Sequence, residues 1–208
     1  KQGSNQTLVQ ALNEAFISKS YILLTLGFFV CGFHVTFVAV HLPAFLEDQK
    51  LPIWVGGWSL AFIGIFNVVG SIYFGYLGDK FSKKNLLALL YTLRSVLFLI
   101  FIFLPKTELT VLVFASFLGI LWLSTVPLTS GLITVIFGPY YMSVLYGIAF
   151  LSHQVGSFLG SWLGGRLFDQ YGSYDLMWWI CVVLGLVTAL MHIPIKEIPK
   201  KRLAIENI

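Results

Sequence analysis

Charged side chains are scarce in this sequence. Asp, Glu, Lys and Arg together make up 11% of its 208 residues, while hydrophobic residues make up 58%. Soluble domains carry about twice that share of charge. The scarcity of charge therefore excludes an ordinary soluble domain and indicates a chain that lies mostly in lipid.

Several features that would indicate other functions are missing. The two cysteines, Cys31 and Cys181, lie inside apolar runs, which makes a disulfide framework improbable and leaves them as small core residues. Zinc would need more ligands, so we expect no metal site and no cofactor. No phosphate-binding loop is present, which argues against nucleotide hydrolysis within this chain. The net charge of +4 comes without a basic stripe between aromatics, so nucleic acid is not an expected partner.

Long hydrophobic runs are what the sequence has instead. A helix needs about 20 apolar residues to cross a bilayer, and the sequence contains six such runs. They cover roughly residues 21–45, 53–78, 86–104, 110–137, 142–165 and 176–195, and Pro127 is expected to kink the long fourth run. The sequence thus predicts an all-α membrane protein with a six-helix transmembrane domain over residues 21–195. Residues 1–20 are predicted to be a linker or an interfacial segment with a weak amphipathic helix, and residues 196–208 a basic cytoplasmic tail.

A ten-residue block occurs twice, 90 residues apart. Residues 70–79 and 160–169 share Gly, Ser, Gly, Leu and Asp at the same five places, and each block closes an apolar run. Three runs begin within each period, so the odd number of crossings puts the two copies on opposite faces of the bilayer. This pattern predicts two inverted three-helix repeats, an arrangement typical of transporters. In the second copy, Gly165, Arg166 and Asp169 occupy the places that Gly75, Tyr76 and Asp79 have in the first copy.

The distribution of Lys and Arg predicts the orientation. Nine of these residues lie in segments on the side of the N-terminus, three lie on the other side, and Arg94 is inside a span. Basic segments face the cytoplasm, so we expect an integral protein of the plasma (inner) membrane with both termini in the cytoplasm. The chain begins at Lys1 rather than Met and shows no signal peptide, so we expect a fragment or one half of a longer protein.

The loop between the second and third predicted helices carries a specific pattern. The places of Gly-x-x-x-Asp-Arg/Lys-x-x-Arg/Lys-Arg/Lys are filled by Gly75, Asp79, Lys80, Lys83 and Lys84, with Gly78 beside them. This loop resembles the signature loop of the major facilitator superfamily and lies on the basic side, as the family requires. A carboxylate at a helix end can pair with a cation on a sliding neighbour, so we expect this loop to gate transport. The alternative is an ordinary basic turn.

The family resemblance covers nearly the whole chain. It implies half of a 12-helix major facilitator fold, with an N-terminal six-helix half as partner and secondary active transport by alternating access. Residues 165–175 followed by Trp178, and residues 32–35 followed by 41–43, are more weakly similar to the oxalate/formate antiporter and monocarboxylate porter branch. That similarity implies a carboxylate substrate. Members of this branch usually have an arginine in the second span of this half, whereas this chain has Asn67.

Arg94 is the one charged residue well inside a predicted span. It lies about 13 Å along its helix at 1.5 Å per residue, near the middle of a ~30 Å hydrocarbon core. A central arginine costs roughly 2.5–3.5 kcal/mol, so something must compensate it. Two interpretations are open. In the first, Arg94 has a functional role: it attracts an anionic substrate or pairs with an acid of the missing half. In the second, its role is structural: the side chain snorkels to the cytoplasmic side or bonds to backbone carbonyls.

Other polar residues within the spans form a candidate lining for a substrate or proton-coupling site, although each alone is more often structural. The resemblance to the oxalate/formate branch adds that His153 follows a Tyr-Gly pair, as the substrate-binding basic residue of the fifth span does there. The candidates are His34, Asn67, Arg94, Trp122, Tyr146, His153 and Gln154. The fifth span also carries Gly156, Gly160 and Gly164 at four-residue spacing, which predicts a face for close helix packing.

Three other classes of protein were weighed against a carrier. An intramembrane serine protease would need Gly-x-Ser-x-Gly, and residues 57–61 lack the last glycine. A membrane cytochrome could ligate haem through His34 and His153, with nothing else in support. A scaffold or receptor that transports nothing stays open as an alternative, as does a carrier of neutral or cationic solutes in which Arg94 is structural. We expect a transporter of a small solute, with or without a proton, and no enzymatic activity.

Overall fold

Eight helices make up the part of the chain that the computed structural model describes, residues 6–200. They are α1 (Leu8–Ile17), α2 (Lys19–Asp48), α3 (Ile53–Lys80), α4 (Lys83–Phe103), α5 (Glu108–Leu121), α6 (Thr125–Phe137), α7 (Met142–Tyr171) and α8 (Asp175–His192). With α5 and α6 taken as one span, six are long and apolar enough to cross a membrane. The predicted set of six spans is confirmed. The predicted segments at residues 1–5 and 201–208 lie outside the described residues.

The helices alternate in direction, which defines two faces of the bundle. The basic face is the end where α2, α4 and α7 begin and α3, α6 and α8 end, and the opposite face is the other end. Glycines with left-handed backbone end two helices at these faces. Gly138 (φ 84°) follows α6, and Gly172 (φ 65°) follows α7 and donates its N–H to the carbonyl of Phe168 at 2.7 Å. Both positions require the backbone freedom of glycine.

The helices pack in three main pairs that follow the predicted inverted repeat. α2 packs on α7, α3 packs on α5 and α6, and α4 packs on α8. The first repeat is α2, α3 and α4, and its helices correspond in that order to α5–α6, α7 and α8 of the second repeat. When corresponding helices are exchanged, the α2–α7 pair becomes the pair of α3 with α5–α6, and the α4–α8 pair is unchanged. The bundle therefore has the internal two-fold relation of two inverted three-helix repeats.

The glycines of the duplicated block make equivalent contacts in both repeats. A Cβ at Gly70 on α3 would collide with the carbonyl of Ile120 on α5, and a Cβ at Gly160 on α7 would collide with the carbonyl of Phe33 on α2. Five residues on, Gly75 and Gly165 are both at ordinary contact distance, 3.9 and 3.8 Å. The same helix surface is thus used twice, once in each repeat.

The fourth span is interrupted rather than kinked at Pro127. α5 ends at Leu121 and α6 begins at Thr125, so the break lies at residues 122–124. Pro127 is the third residue of α6, in the first turn, where a missing N–H costs little. In a regular helix the carbonyl of Leu123 would accept the N–H of residue 127, which a proline lacks. It accepts the N–H of Val126 at 2.9 Å instead. The proline predicted the region of the irregularity, and the interruption itself begins five residues earlier.

Two buried clusters of apolar side chains hold the bundle together. One lies toward the basic face around Tyr21, and the other lies toward the opposite face around Trp178. Phe37, Phe45 and Phe101 surround Trp178 with ring centroids 5.0 to 5.5 Å away. Both cysteines are fully buried and unpaired, which confirms their prediction as core residues. α3 and α7 bury the smallest share of their length and expose apolar side chains.

Candidate functional site

The break between α5 and α6 is the centre of the candidate site. It frees backbone groups deep inside the bundle, because residues 122–124 leave the regular helical hydrogen-bond pattern. Arg94 of α4, which is only 1% exposed, donates from one guanidinium nitrogen to the carbonyls of Leu121 (2.5 Å) and Trp122 (2.8 Å). The guanidinium therefore sits at the C-terminal end of α5, where the helix dipole favours a positive charge.

Asn67 of α3 holds the other side of the same break. Its side-chain oxygen accepts the backbone N–H of Leu123 at 3.0 Å and the hydroxyl of Ser71 at 3.3 Å. Asn67 and Arg94 thus supply complementary partners to the unwound backbone, an acceptor for its N–H and donors for its carbonyls. Trp122, within the break, is half-buried. The structure brings these three predicted site residues together.

Cys31 completes the polar cluster from α2. Its sulfur lies 3.2 Å from the hydroxyl oxygen of Thr125 and 3.7 Å from a guanidinium nitrogen of Arg94. Cys31 was predicted as a core residue, and its contact with Arg94, which is 63 positions away, was not predicted. No local spacing signals such a contact, since it depends on how α2, α4 and α6 pack.

Arg94 has no ion-pair partner within residues 6–200, and its Nε atom is buried without a hydrogen bond there. The contacts with the carbonyls of Leu121 and Trp122 show that Arg94 bonds to backbone carbonyls, as the second of its two interpretations predicted. The charge remains, because arginine stays protonated in proteins. Carbonyl dipoles solvate this charge but do not neutralise it.

His153 lies on α7 in an aromatic group, and its ring also interacts with the thiol of Cys31, which belongs to the polar cluster at the break. Its ring stacks on Phe150 with centroids 5.4 Å apart and lies 4.9 Å from the ring of Phe28. Its Nδ1 atom is 3.1 Å from the side-chain oxygen of Gln154, and its buried Nε2 atom makes no hydrogen bond of standard geometry with the described residues. Tyr146 stacks on Phe150 and is half-buried, and Gln154 is exposed. These three predicted residues share one stretch of α7.

His34 points to a different part of the bundle. It is 1% exposed, its ring meets Phe98 of α4 edge-on at 5.3 Å, and it lies against Gly185 of α8. Both ring nitrogens lack a hydrogen-bond partner within residues 6–200. The two histidines thus contact different neighbours of α2, so the structure does not bring His34 and His153 into one side-chain group.

The loop with the signature pattern joins α3 to α4 at the basic face. Lys83 donates its ammonium to the carbonyl of Gly78 at 2.7 Å, and Lys84 donates its ammonium to the carbonyl of Ile193 at 2.9 Å. The Lys80 ammonium lies over the ring of Tyr76 at 4.4 Å. Gly78 is buried against Leu128 of α6, so the end of α3 packs close to that helix.

Asp79 is exposed and makes no hydrogen bond or ion pair with any residue from 6 to 200. The lysines of the same loop are engaged with backbone carbonyls or an aromatic ring instead. The carboxylate is therefore available to a group outside the part of the chain that the structure describes.

Glu197, which the sequence analysis assigned to a solvated tail, caps α4. Its carboxylate accepts the hydroxyl of Ser82 (2.7 Å) and the backbone N–H groups of Lys83 (3.1 Å) and Lys84 (3.3 Å). These are orphan donors of the first helical turn, and a negative charge at a helix N-terminus is favourable. The segment after α8 is thus fastened to the loop that carries the signature pattern.

The second copy of the block ends at the opposite face. Gly165 lies 3.8 Å, measured from its ideal Cβ position, from the ring of His41, while Arg166 and Asp169 are both exposed. Burial raises the pKa of the nearby Tyr174 hydroxyl, and the carboxylates of Asp48 and Asp169 raise it further.

The predicted glycine face of α7 lies against α2. A Cβ at Gly156 would collide with the carbonyl of Phe29, one at Gly160 with the carbonyl of Phe33, and one at Gly164 with the ring of His41. Gly32 of α2 returns the contact, since a Cβ there would meet the carbonyl of His153. Close approach of these two backbones sets the position of the aromatic group around His153.

Comparison with known proteins identifies the family. The family model of the Major Facilitator Superfamily matches residues 24–206. The chain belongs to this superfamily. A curated major facilitator relative is the protein named "Uncharacterized MFS-type transporter YcxA" from Bacillus subtilis (strain 168), which is 29% identical over 187 residues. The alignment covers 86% of this chain and 45% of that relative, so this major facilitator chain spans about half the relative's length.

Membership of the superfamily fits the geometry described above. The chain is an integral membrane protein of a transporter family, and its six spans form half of the fold of its longer relative. Ser59, the serine of the incomplete protease-like motif, is buried and donates its hydroxyl to the carbonyl of Val55 in its own helix. Within residues 6–200, no group of three His, Cys, Asp or Glu side chains is placed to hold a metal ion.

Proposed function

We propose that this chain is the C-terminal half of a secondary active carrier that moves a small solute by alternating access. The broken span carries the proposal. Unwound backbone in the middle of a membrane is tolerated where it is buried in protein or lines a water-filled cavity, and carriers use such breaks as binding sites. Here the break at residues 122–124 is held by Asn67 and Arg94 from two other helices.

A small anion, such as a carboxylate, is the substrate class that we propose first. Arg94 keeps a buried charge that no carboxylate among residues 6–200 neutralises, and its Nε atom has no partner there. A charge held at this depth costs free energy, and a substrate anion would repay part of that cost when it binds. Trp122 and Asn67 border the same point and would supply an apolar wall and a polar contact.

A neutral or cationic solute is the second candidate. The two carbonyl contacts of Arg94 favour it, because an arginine that ties the end of α5 to α4 has a structural role already. In that case the charge would be compensated by the dipole at the end of α5 rather than by a substrate. A proton is a candidate second substrate in either case, since His153 is a buried histidine beside the Cys31 thiol of the polar cluster.

The remaining half of the carrier would cover the exposed sides of α3 and α7. Those two helices bury the least surface within this half, and the relative is about twice as long as the aligned region. We place the assembly in the plasma membrane with both termini in the cytoplasm, because the basic face carries most of the lysines. Residues 6–20 would then lie at the cytoplasmic surface of the lipid bilayer.

Uptake into proteoliposomes by the whole gene product tests the proposal. The panel is a set of small mono- and dicarboxylates and a set of neutral and cationic solutes, each with and without a pH gradient. We expect saturable carboxylate uptake that falls at least about tenfold in Arg94→Gln, because a charge-assisted contact is lost. Arg94→Lys, which keeps the charge, is expected to retain part of it.

Lys50→Gln is the matched control, since Lys50 is exposed at the opposite face. Uptake of neutral or cationic solutes alone would move the proposal to the second candidate. Absence of any saturable uptake by folded protein would contradict a carrier and favour a scaffold or receptor.

A further inference from the structure

A basic cavity lies at the basic face, away from the broken span. It has a volume of about 460 Å³ and is formed where α1 meets α2, where α6 ends and where the segment after α8 passes. Its lining includes three lysines, Lys19, Lys196 and Lys200, and no carboxylate from residues 6–200. Like-charged side chains around one cavity indicate an anionic occupant.

The segment after α8 is held so that its lysines border this cavity. The backbone N–H of Lys196 donates to the hydroxyl of Ser20 at 3.0 Å, and that of Lys200 donates to the carbonyl of Ile136 at 3.0 Å. Glu197, the acid between them, is turned away and engaged with the start of α4. The segment therefore presents positive charge to the cavity, while the one carboxylate among its described residues, 193–200, is occupied elsewhere.

Hydrogen-bond donors accompany the charge. The cavity includes Ser18 and Ser20 at the start of α2, and this helix begins with no side-chain cap. The N–H groups of Tyr21 and Ile22 already donate to the carbonyl of Ser18, which leaves those of Lys19 and Ser20 as the donors at the start of the helix. The positive end of the helix dipole lies at the same point. An oxyanion with several acceptors, such as a phosphate group, matches this set of donors.

The rim of the cavity is apolar. Ile17 is 84% exposed and Ile198 is 66% exposed, and both line the cavity beside the lysines. α1, which leads into the site, exposes Val9 and Phe16 as well. A free phosphate ion has no apolar part that could contact such a rim, whereas a phospholipid has acyl chains next to its charged headgroup. Basic pockets at the ends of transmembrane helices are suited to anionic lipid headgroups.

We propose that this cavity binds the headgroup of an anionic phospholipid. Lys19 and Lys196 would contact the phosphate, the start of α2 would donate further hydrogen bonds, and Ile17 and Ile198 would contact the acyl chains. The site is separate from the proposed solute site and does not depend on what the carrier transports.

Lipid binding by the delipidated whole carrier tests the proposal. Retention of phosphatidylglycerol, phosphatidylcholine and inorganic phosphate is measured by native mass spectrometry and by the shift in melting temperature. We expect phosphatidylglycerol to bind the native protein and to bind the double variant Lys19→Gln/Lys196→Gln about tenfold to thirtyfold more weakly. Neither side chain makes a hydrogen bond within residues 6–200, so the variant should fold, and Lys19→Arg/Lys196→Arg should restore binding.

The double variant Lys50→Gln/Arg166→Gln is the matched control, because it removes the same charge from exposed positions at the opposite face. Unchanged phosphatidylglycerol binding in Lys19→Gln/Lys196→Gln would overturn the proposal, as would an equal loss in the control. Inorganic phosphate that competes at concentrations similar to the lipid would overturn the lipid assignment and leave a phosphate site. Equal retention of phosphatidylcholine would overturn the role of charge.

Discussion

At the scale of single residues, the two repeats of this chain depend on a few glycines where backbones touch. Gly70 and Gly160 occupy the first place of the duplicated block, and each faces a backbone carbonyl of the helix that pairs with its own. A backbone carbonyl cannot rotate away as a side chain can. Small residues at such places let transmembrane helices approach closely, which is the main source of their packing energy in lipid.

Substitution of these glycines should have the same effect in both repeats. We expect Gly70→Ala and Gly160→Ala to destabilise the carrier by roughly 1–3 kcal/mol, because the helices must separate to admit a methyl group. Gly75→Ala and Gly165→Ala are the matched controls, since a Cβ there is at 3.9 and 3.8 Å from its neighbours. Thermal unfolding of the whole protein in detergent measures the difference. Equal stability of all four variants would contradict the close backbone contacts, and a loss of stability in only one of Gly70→Ala and Gly160→Ala would contradict the equivalence of the repeats.

At the scale of residues, the sequence predicted features that depend on neighbouring positions of one helix and missed contacts between residues far apart in the chain. The spacing of Gly156, Gly160 and Gly164 on one helix face can be read directly from the chain. The contact of Cys31 with Arg94 and Thr125 cannot, because it joins three helices whose mutual rotation is set by packing. Likewise, the carbonyl partners of Arg94 exist only because α5 ends at Leu121.

At the scale of elements, the segment after α8 behaves as a part of the bundle. The basic residues Lys196, Lys200, Lys201 and Arg202 favoured the prediction of a basic tail. Ile195 is nevertheless fully buried, and the segment contacts the ends of three spans through Ser20, Ile136 and the start of α4. Capping partners far apart in sequence leave no local signature, which is why this role of Glu197 was not predicted.

Removal of the cap should loosen this segment. We expect Glu197→Ala to cost about 1–2 kcal/mol locally, because the hydroxyl of Ser82 and two N–H groups of α4 lose their acceptor. The readout is the rate of tryptic cleavage after Lys196 and Lys200 in the folded whole carrier, which should rise several-fold. Glu47→Ala, at an exposed site at the opposite face, is the control. An unchanged cleavage rate in Glu197→Ala would mean that the backbone contacts hold the segment without the cap.

At the scale of the whole molecule, the inverted repeat gives the two faces related but unequal loops. The first block leads into a loop rich in lysine, and the second ends with Arg166 and Asp169 exposed. In the first loop, Lys83 and Lys84 donate to carbonyls of this chain, while the Asp79 carboxylate remains without a partner from residues 6–200. An unpaired carboxylate at a helix end is suited to a contact with a separate body.

We therefore expect Asp79 to stabilise one state of the transport cycle by pairing with the other half of the carrier. Asp79→Asn should slow uptake several-fold, because an ion pair or a charge-assisted hydrogen bond that holds that state is weakened. The amount of folded protein and its melting temperature should stay unchanged, since the carboxylate contacts no partner within residues 6–200. Initial uptake rates per purified protein measure the effect, with Asp48→Asn at the opposite face as control. If Asp79→Asn transported at the native rate, Asp79 would have no part in gating, and the loop would be a basic turn whose lysines only secure the ends of α3 and α4.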